Sequence, residues 1–386
     1  MTTQNYTLNN DIESSILIFG STSGSLLNFR GPLIQRLRGS GHRVIAAAAA
    51  DMDSSQVAEV LRDCGVEFRT VDLARGGINP LADIRTFRAI QTLLRDARPD
   101  ILLSYTAKPV IYGGLAARTI DGVRFFPMMT GLGYAFTSGV GAKRRAVRAI
   151  LMQLYRWSLR DAESVVFQNP DDQELFAELG LVPNADRSKL VRGSGVDCEA
   201  FSPSALPDEP AFLMMARLIA DKGVREYVEA ARSVREVFPS ARFRLAGDLD
   251  PNPASVSRAE LDGWIAEGVI DYLGSVNAVQ PELTRCRYYV LPSYREGTPR
   301  SVLEAMATGR PIVTTNTPGC RETVDHNVNG LLVPPRDPVA LAAAMRELIS
   351  ASEERIQAMA YESLRMARER FDVHRVNDEI LKILGL

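Results

Sequence analysis

Residues 193–218 read "GSGVDCEAFSPSALPDEPAFLMMARL", and they decide the fold. Glycine, serine, proline and acid crowd residues 193–210, the composition that interrupts periodic structure, and "AFLMMARL" then begins as an apolar run with the character of a buried strand. A hinge at this point divides the chain into two series of elements.

Upstream, the apolar runs "SILIF" (15–19), "HRVIAAAA" (42–49), "VEFRTVDL" (66–73), "DILLSY" (100–105) and "RFFPMM" (124–129) alternate with helical patterns. One of these is "LLNFRGPLIQRLRGSG", where Leu26, Leu33 and Leu37 share a face before glycines end it. Downstream the rhythm restarts. Strands are expected at 211–216, 241–248, 269–274, 287–293 and 310–316, with helices near 223–238, 257–267 and 279–285 between them. Strand and helix in alternation make parallel sheets, so the expected class is α/β, with two doubly wound domains facing a cleft. The expected boundaries are 1–203 and 204–365. A terminal helix over 366–386 is expected to cross back to the first domain, because two successive helices cannot both extend a sheet. A chain of 386 residues that is 46% hydrophobic has material for two cores.

The 45 basic and 47 acidic residues leave a net charge of −2, which argues against a protein built around nucleic-acid contacts. Cys64, Cys198, Cys286 and Cys320 lie far apart, without CxxC or histidine spacing, so neither a zinc site nor a disulfide framework is indicated and a reducing cytoplasm fits. "SILIFG" falls well short of the ~20 apolar residues of a membrane helix, and no basic n-region precedes it. His42, His326 and His374 are scattered and build no triad or metal cluster.

The chemistry gathers in "SYREGTPRSVLEAMATGRPIVTTNTPGCRETV" (293–324). Arg300 to Thr308 reads as a helix between two strands, with Pro299 at its first position and Thr298 as N-cap. Its N-terminus, with Gly297, Thr298, Pro299, Arg300 and Ser301, lies at the carboxyl end of a strand, where open α/β sheets bind ligands and where a diphosphate is at home. Glu296 before the helix and Glu304 inside it can each accept hydrogen bonds from sugar hydroxyls. A nucleotide sugar, with hydroxyls at both ends and phosphate between, satisfies all three features. From spacing alone the same glutamates also read as a loop charge and a helix-surface residue.

Arg217 and Lys222 fall at the same sheet edge, where an arginine fork and a lysine can neutralise a leaving diphosphate. They read equally as a capping or surface pair. "GDLD" offers Asp248 and Asp250 as an acidic metal pair, but prolines follow at once and the segment reads as a turn, with Gly247 its informative residue.

These motifs carry a resemblance. "EGTPRSVLEAMATGRPIVTT", "GCRETV" and "NGLLVPPRDPVALAAAM" resemble the donor site of the family 4 retaining glycosyltransferases of GT-B fold, including the E-x7-E element at Glu296 and Glu304, and "MMARLIADKGVREYVEAA" resembles that family's other block. The resemblance implies two Rossmann-like domains and a hexosyltransferase that works without a metal or other cofactor. Glu296 would meet the donor sugar, Glu304 the ribose, and Arg217 and Lys222 the diphosphate of a UDP-sugar.

In the first half, "SYTAKPVIYGGLAAR" (104–118) sets Lys108 at the end of a strand, and "MMTGLGYAF" (128–136) is a second glycine loop. Both resemble the subgroup that extends polyprenyl-diphosphate-linked sugars in bacterial glycan assembly. Lys108, Thr130 and Gly131 are the expected acceptor residues, although "TGLG" lacks the histidine that many members place there. "GSTSGS" (20–25) falls short of a dinucleotide fingerprint.

"GAKRRAVRAILMQLYRWSLRDAE" (141–163) holds six basic residues between Lys143 and Arg160 and no acid, interleaved with apolar side chains. Lys143, Arg144, Arg145 and Arg148 suit an anionic membrane surface or a lipid diphosphate. The same pattern also suits a core-facing stripe with a solvated basic face. The expectation is a cytoplasmic enzyme at the inner face of the membrane that moves GalNAc, GlcNAc or a related sugar onto an undecaprenyl-diphosphate-linked sugar. The alternatives are a non-hydrolysing UDP-GlcNAc 2-epimerase, whose usual histidine-bearing cleft is not seen, and a non-catalytic nucleotide-sugar-binding subunit, which an intact set of Arg217, Lys222, Glu296 and Glu304 disfavours.

Overall fold

The computed structural model describes residues 13–73, 79–132, 142–250, 255–276 and 278–386, without the side chains of 142–144. They form two compact units. One holds the described residues up to Met128 with Trp157–Ser164, and the other holds the described residues of Met129–Arg156 and Val165–Leu386.

In the first unit β1 (Ser15–Phe19), α1 (Ser23–Gly39), β2 (Arg43–Ala49), α2 (Ser54–Asp63), β3 (Glu67–Val71), α3 (Pro80–Ala97), β4 (Ile101–Tyr105), α4 (Ala107–Ala117) and β5 (Arg124–Met129) follow the expected alternation. The strands lie side by side as β3-β2-β1-β4-β5, all parallel. All of β4, and β2 after its first residue, are buried. That is why these runs are continuously apolar, as expected of strands covered on both faces. The order reverses between β1 and β4.

Helix α5 (Ala142–Leu159) is shared between the two units. The second continues with β6 (Val165–Phe167), α6 (Pro170–Glu178) and β7 (Ser188–Leu190), then β8 (Ala211–Met215), α7 (Val224–Val237), β9 (Arg242–Ala246), α8 (Arg258–Ala266), β10 (Asp271–Gly274), α9 (Val279–Thr284), β11 (Tyr288–Leu291), α10 (Arg300–Ala307), β12 (Ile312–Thr315) and β13 (Gly330–Val333). β6 and β7 pair in parallel, two strands the sequence pattern does not reveal because three residues are too few to show a period. The remaining strands form a parallel sheet in the order β10-β9-β8-β11-β12-β13, reversing between β8 and β11. Its core is dense. Phe212 stacks on Phe243 with ring centres 5.2 Å apart, and Leu213, Tyr289 and Val313 are fully buried.

Three helices end the chain: α11 (Pro338–Ser350), α12 (Glu353–Arg370) and α13 (Val373–Leu384). Asp372 caps α13 by accepting from His374 N and Arg375 N, and its neighbour Val373 donates its N–H to Val196 O at 3.0 Å, tying the helix to the segment before β8. Asp372→Ala removes this cap and should cost about 0.5–2 kcal/mol. A urea melt of the full chain tests it, and an unchanged midpoint would show that the helix is held by packing alone.

Candidate functional site

The site in the second unit begins as backbone. Gly223, at φ 74°, links the turn Ala220–Lys222 to α7, and a Cβ there would collide with the carbonyl of Pro292 just beyond β11. Two more contacts fix the approach: Tyr294 N donates to Asp221 O at 2.8 Å and Ser293 Oγ to the same oxygen at 3.1 Å. The segments leaving β8 and β11 are thus latched at the strand-order reversal, the place where open α/β sheets bind ligands. The latch brings Lys222 Nζ to 2.5 Å from Glu296 Oε1, with side chains 21% and 13% exposed.

Beyond Glu296 the sequence expectation needs one correction. Thr298 does not cap α10: Pro299, extended at φ −74° and ψ 106°, is the N-cap residue, and no side chain closes the helix. Thr298 Oγ1 instead donates to Gln168 O at 2.9 Å, because an extended Pro299 carries its predecessor away from the first turn. Arg300 opens the helix, and its Nε lies 2.8 Å from Glu304 Oε1, one turn on. Glu304 is only 7% exposed, and burial raises its pKa against the pull of the Arg300 charge. Ser301 hydrogen-bonds the buried Tyr289 hydroxyl beneath it.

Arg217 follows β8, 66% exposed, with Nη1 2.8 Å from Asp250 Oδ2. Asp250 is therefore engaged by a guanidinium, and Asp248 uses its carbonyl to accept from Leu218 N at 3.0 Å. Gly247 sits between them and β9 at φ 138°, against the carbonyl of Ala216, so only glycine fits. Among the described residues no group of three histidine, cysteine or acidic side chains is arranged to hold a metal.

Thr130 and Gly131 lie against Gly297, where a Cβ would overlap the Thr130 carbonyl. Supporting residues that sequence reasoning missed surround this contact. Asn169, the buried N-cap of α6, also donates from Nδ2 to Gly297 O at 2.8 Å. Asp172, fully buried, pairs with Arg295, and burial raises its pKa despite that partner. Burial and the neighbouring Asp171 carboxyl raise Glu322. The Asn-Pro step of "QNPDD" signals the cap. No sequence signal reveals its second contact, which spans 128 positions.

In the first unit Lys108 Nζ lies 2.8 Å from Asp83 Oδ1 on α3, so it is an ion-pair partner within its own unit. Thr106, before it, holds an unusual φ of 69° and ψ of 157°, with Oγ1 2.5 Å from Ser21 Oγ of the loop after β1. On α5, Arg145 and Arg148 are exposed, as are Ile150 and Trp157, seven positions apart on one face. Lys143 and Arg144 belong to the same helix, and their side chains lie outside the described residues.

Residues 209–351 match the family described as glycosyl transferases group 1, and residues 30–191 match the glycosyl transferase 4-like domain. The chain is 30% identical over 321 residues to N,N'-diacetylbacillosaminyl-diphospho-undecaprenol alpha-1,3-N-acetylgalactosaminyltransferase of Campylobacter jejuni, covering 80% of this chain and 82% of that one. It is 26% identical to UDP-Gal:alpha-D-GlcNAc-diphosphoundecaprenol alpha-1,3-galactosyltransferase of Escherichia coli, over 73% and 74% of the two chains. Among solved structures, Anabaena HepE in complex with UDP superimposes with a TM-score of 0.76 at 20% identity, over 96% of this chain and 99% of that one. Sucrose-phosphate synthase from Thermosynechococcus elongatus gives 0.79 at 17%, over 96% and 98%. These likenesses establish the GT-B fold.

A carboxyl whose pKa is raised on folding holds its proton more tightly in the folded chain, so its ionisation destabilises the fold as pH rises through its folded pKa. Glu304→Gln should therefore raise the melting temperature at pH 8, with the gain shrinking as pH falls toward the ordinary glutamate range. Thermal melts of both proteins from pH 5 to 8 test this, and a variant less stable at pH 8 would show that the Arg300 contact outweighs the burial.

Proposed function

Because the chain belongs to the group 1 and 4-like glycosyltransferases, we propose that it transfers an N-acetylhexosamine, GalNAc or GlcNAc, from a UDP-sugar to an undecaprenyl-diphosphate-linked sugar, with retention at the anomeric carbon. The observation that carries the reading is the Lys222–Glu296 pair at the reversal point of the second sheet, with Glu304 buried one turn into α10. The donor and acceptor classes follow the Campylobacter relative, named for a diphospho-undecaprenol acceptor and an N-acetylgalactosaminyl transfer.

In this mechanism residues 204–365 hold the donor and residues 1–203 the acceptor. Donor binding exchanges the Lys222–Glu296 contact for two others: Glu296 accepts from sugar hydroxyls, and Lys222 turns to the diphosphate. Arg217 leaves Asp250 for the same anion, a short movement for so exposed a side chain. Glu304 accepts from the ribose, and the start of α10, with Gly297 to Ser301, faces the phosphates. The acceptor oxygen bonds to the anomeric carbon as the bond from that carbon to the diphosphate oxygen breaks on the same face. The hydroxyl proton passes to the departing diphosphate, whose charge Lys222, Arg217 and the helix end stabilise. Gly247 leaves room at the sheet edge, and Thr130 and Gly131 shape the sugar pocket through their backbone.

A UDP-release assay with a panel of UDP-sugars, each with and without a polyprenyl-diphosphate-linked GlcNAc, GalNAc or bacillosamine, tests the assignment. Release is expected only when one donor and one lipid acceptor are both present. Glu296→Ala and Lys222→Ala should each lower turnover about 10²–10³-fold, the scale of losing one preorganised charge contact, and near-normal rates in both would remove the site assignment.

No described helix is long and apolar enough to cross a membrane. We infer that α5 lies against an anionic leaflet, with the exposed Arg145 and Arg148 on the side that meets lipid phosphates. Each basic residue near such a surface contributes about 1 kcal/mol, so Arg145→Glu with Arg148→Glu should weaken sedimentation with phosphatidylglycerol vesicles by at least about tenfold. Unaltered binding would make the helix an ordinary solvated face.

A further inference from the structure

A cavity of about 490 Å³ opens in the second unit among Pro207, Glu209, Arg242, Arg244, Asp271 and Arg285. It lies toward the amino-terminal ends of β8, β9 and β10. Arg217 and Gly247 follow the carboxyl ends of β8 and β9, about 15 Å away along strands of this length. The cavity is therefore separate from the candidate donor site.

Its walls are built and charged. Arg242 and Arg244 point from the same face of β9, two positions apart. Arg242 Nε lies 3.2 Å from Glu209 Oε1. Arg244 pairs through Nη2 with Glu282, and Arg285 Nη1 approaches the same carboxylate at 3.2 Å, so one acid serves two guanidinium groups. Arg244 Nη1 is buried without a hydrogen-bond partner. Asp271, in register with Arg244 on the neighbouring strand, has no ion-pair partner among the described residues. The segment forming the far wall is fixed, since Pro207 O accepts from Arg287 Nη1 at 2.5 Å.

These groups ask for different things. A guanidinium only donates and matches the oxygens of a phosphate. An ionised carboxylate only accepts, and it matches hydroxyl groups. A cavity of this volume falls in the range of small-molecule sites. We propose that the cavity binds a phosphate ester of a polyhydroxylated ring, the phosphate on Arg244 and Arg285 and the ring hydroxyls on Asp271. Two sources share this chemistry, a free hexose phosphate and the ribose phosphate of a nucleotide.

Isothermal titration of the full chain carrying Arg217→Ala and Lys222→Ala, which impair the candidate donor site and leave the cavity intact, separates these possibilities. Glucose 6-phosphate and AMP are titrated in parallel arms, with inorganic phosphate and glucose as controls. At least one phosphate ester should bind once per chain, and the tighter arm names the source. The exposed change Arg285→Ala and the buried change Arg244→Met should each weaken it tenfold or more. Asp271→Asn should weaken the ester while leaving inorganic phosphate unchanged. Absence of binding by either ester, binding indifferent to Arg285→Ala, or inorganic phosphate binding as tightly as the esters would each overturn the proposal. UDP affinity of the unaltered chain, expected to fall with Lys222→Ala and to be indifferent to Arg285→Ala, reports on the donor reading separately.

Discussion

The latch between the segments leaving β8 and β11 is the constraint on which the candidate donor site depends. It is a backbone contact, made possible because residue 223 has no Cβ to strike Pro292, and reinforced by two donors on the Asp221 carbonyl. Lys222 and Glu296 are 74 positions apart and carried on separate loops. Long side chains on free loops would pay rotamer entropy to meet. Here the main chain has already settled where they stand, and the ion pair follows.

A second backbone contact supports the first from the other side. The Gly297 main chain lies against Thr130, and Asn169 holds its carbonyl while capping α6. Arg295 reaches the buried Asp172 on the same helix. A buried ion pair is costly to desolvate and is weak evidence of stability, but breaking it would strand a charge, so it fixes the direction in which the loop leaves β11. Glu296 is thus carried on a loop held at both ends, which is the preorganisation that electrostatic stabilisation of a transferring group requires.

The charged residues near the two sheet edges divide into those that can move and those that cannot. Arg217 is exposed and bound to a carboxylate at the surface, where an ion pair contributes little and is readily exchanged. Glu304 is fixed by burial, and the cost of that burial appears in its raised pKa. Lys108 pairs with Asp83, both largely buried, so any anion it serves competes with a partner already in place.

Sequence pattern alone fixes the α/β class, most of the strands and the glycosyltransferase family. Period and length report burial directly, and a motif such as E-x7-E is local in the chain. It also marked Glu296, Glu304, Arg217 and Lys222 as a group, without saying which would touch. It took the folded chain to show that Lys222 meets Glu296, that Arg217 faces Asp250, that Thr298 turns from α10 to Gln168, and that Asn169 and Asp172 stand behind the loop that carries Arg295. These contacts join residues that no period relates, and they are selected by how strand ends converge at a reversal point and by which backbone atoms can approach where a glycine leaves space.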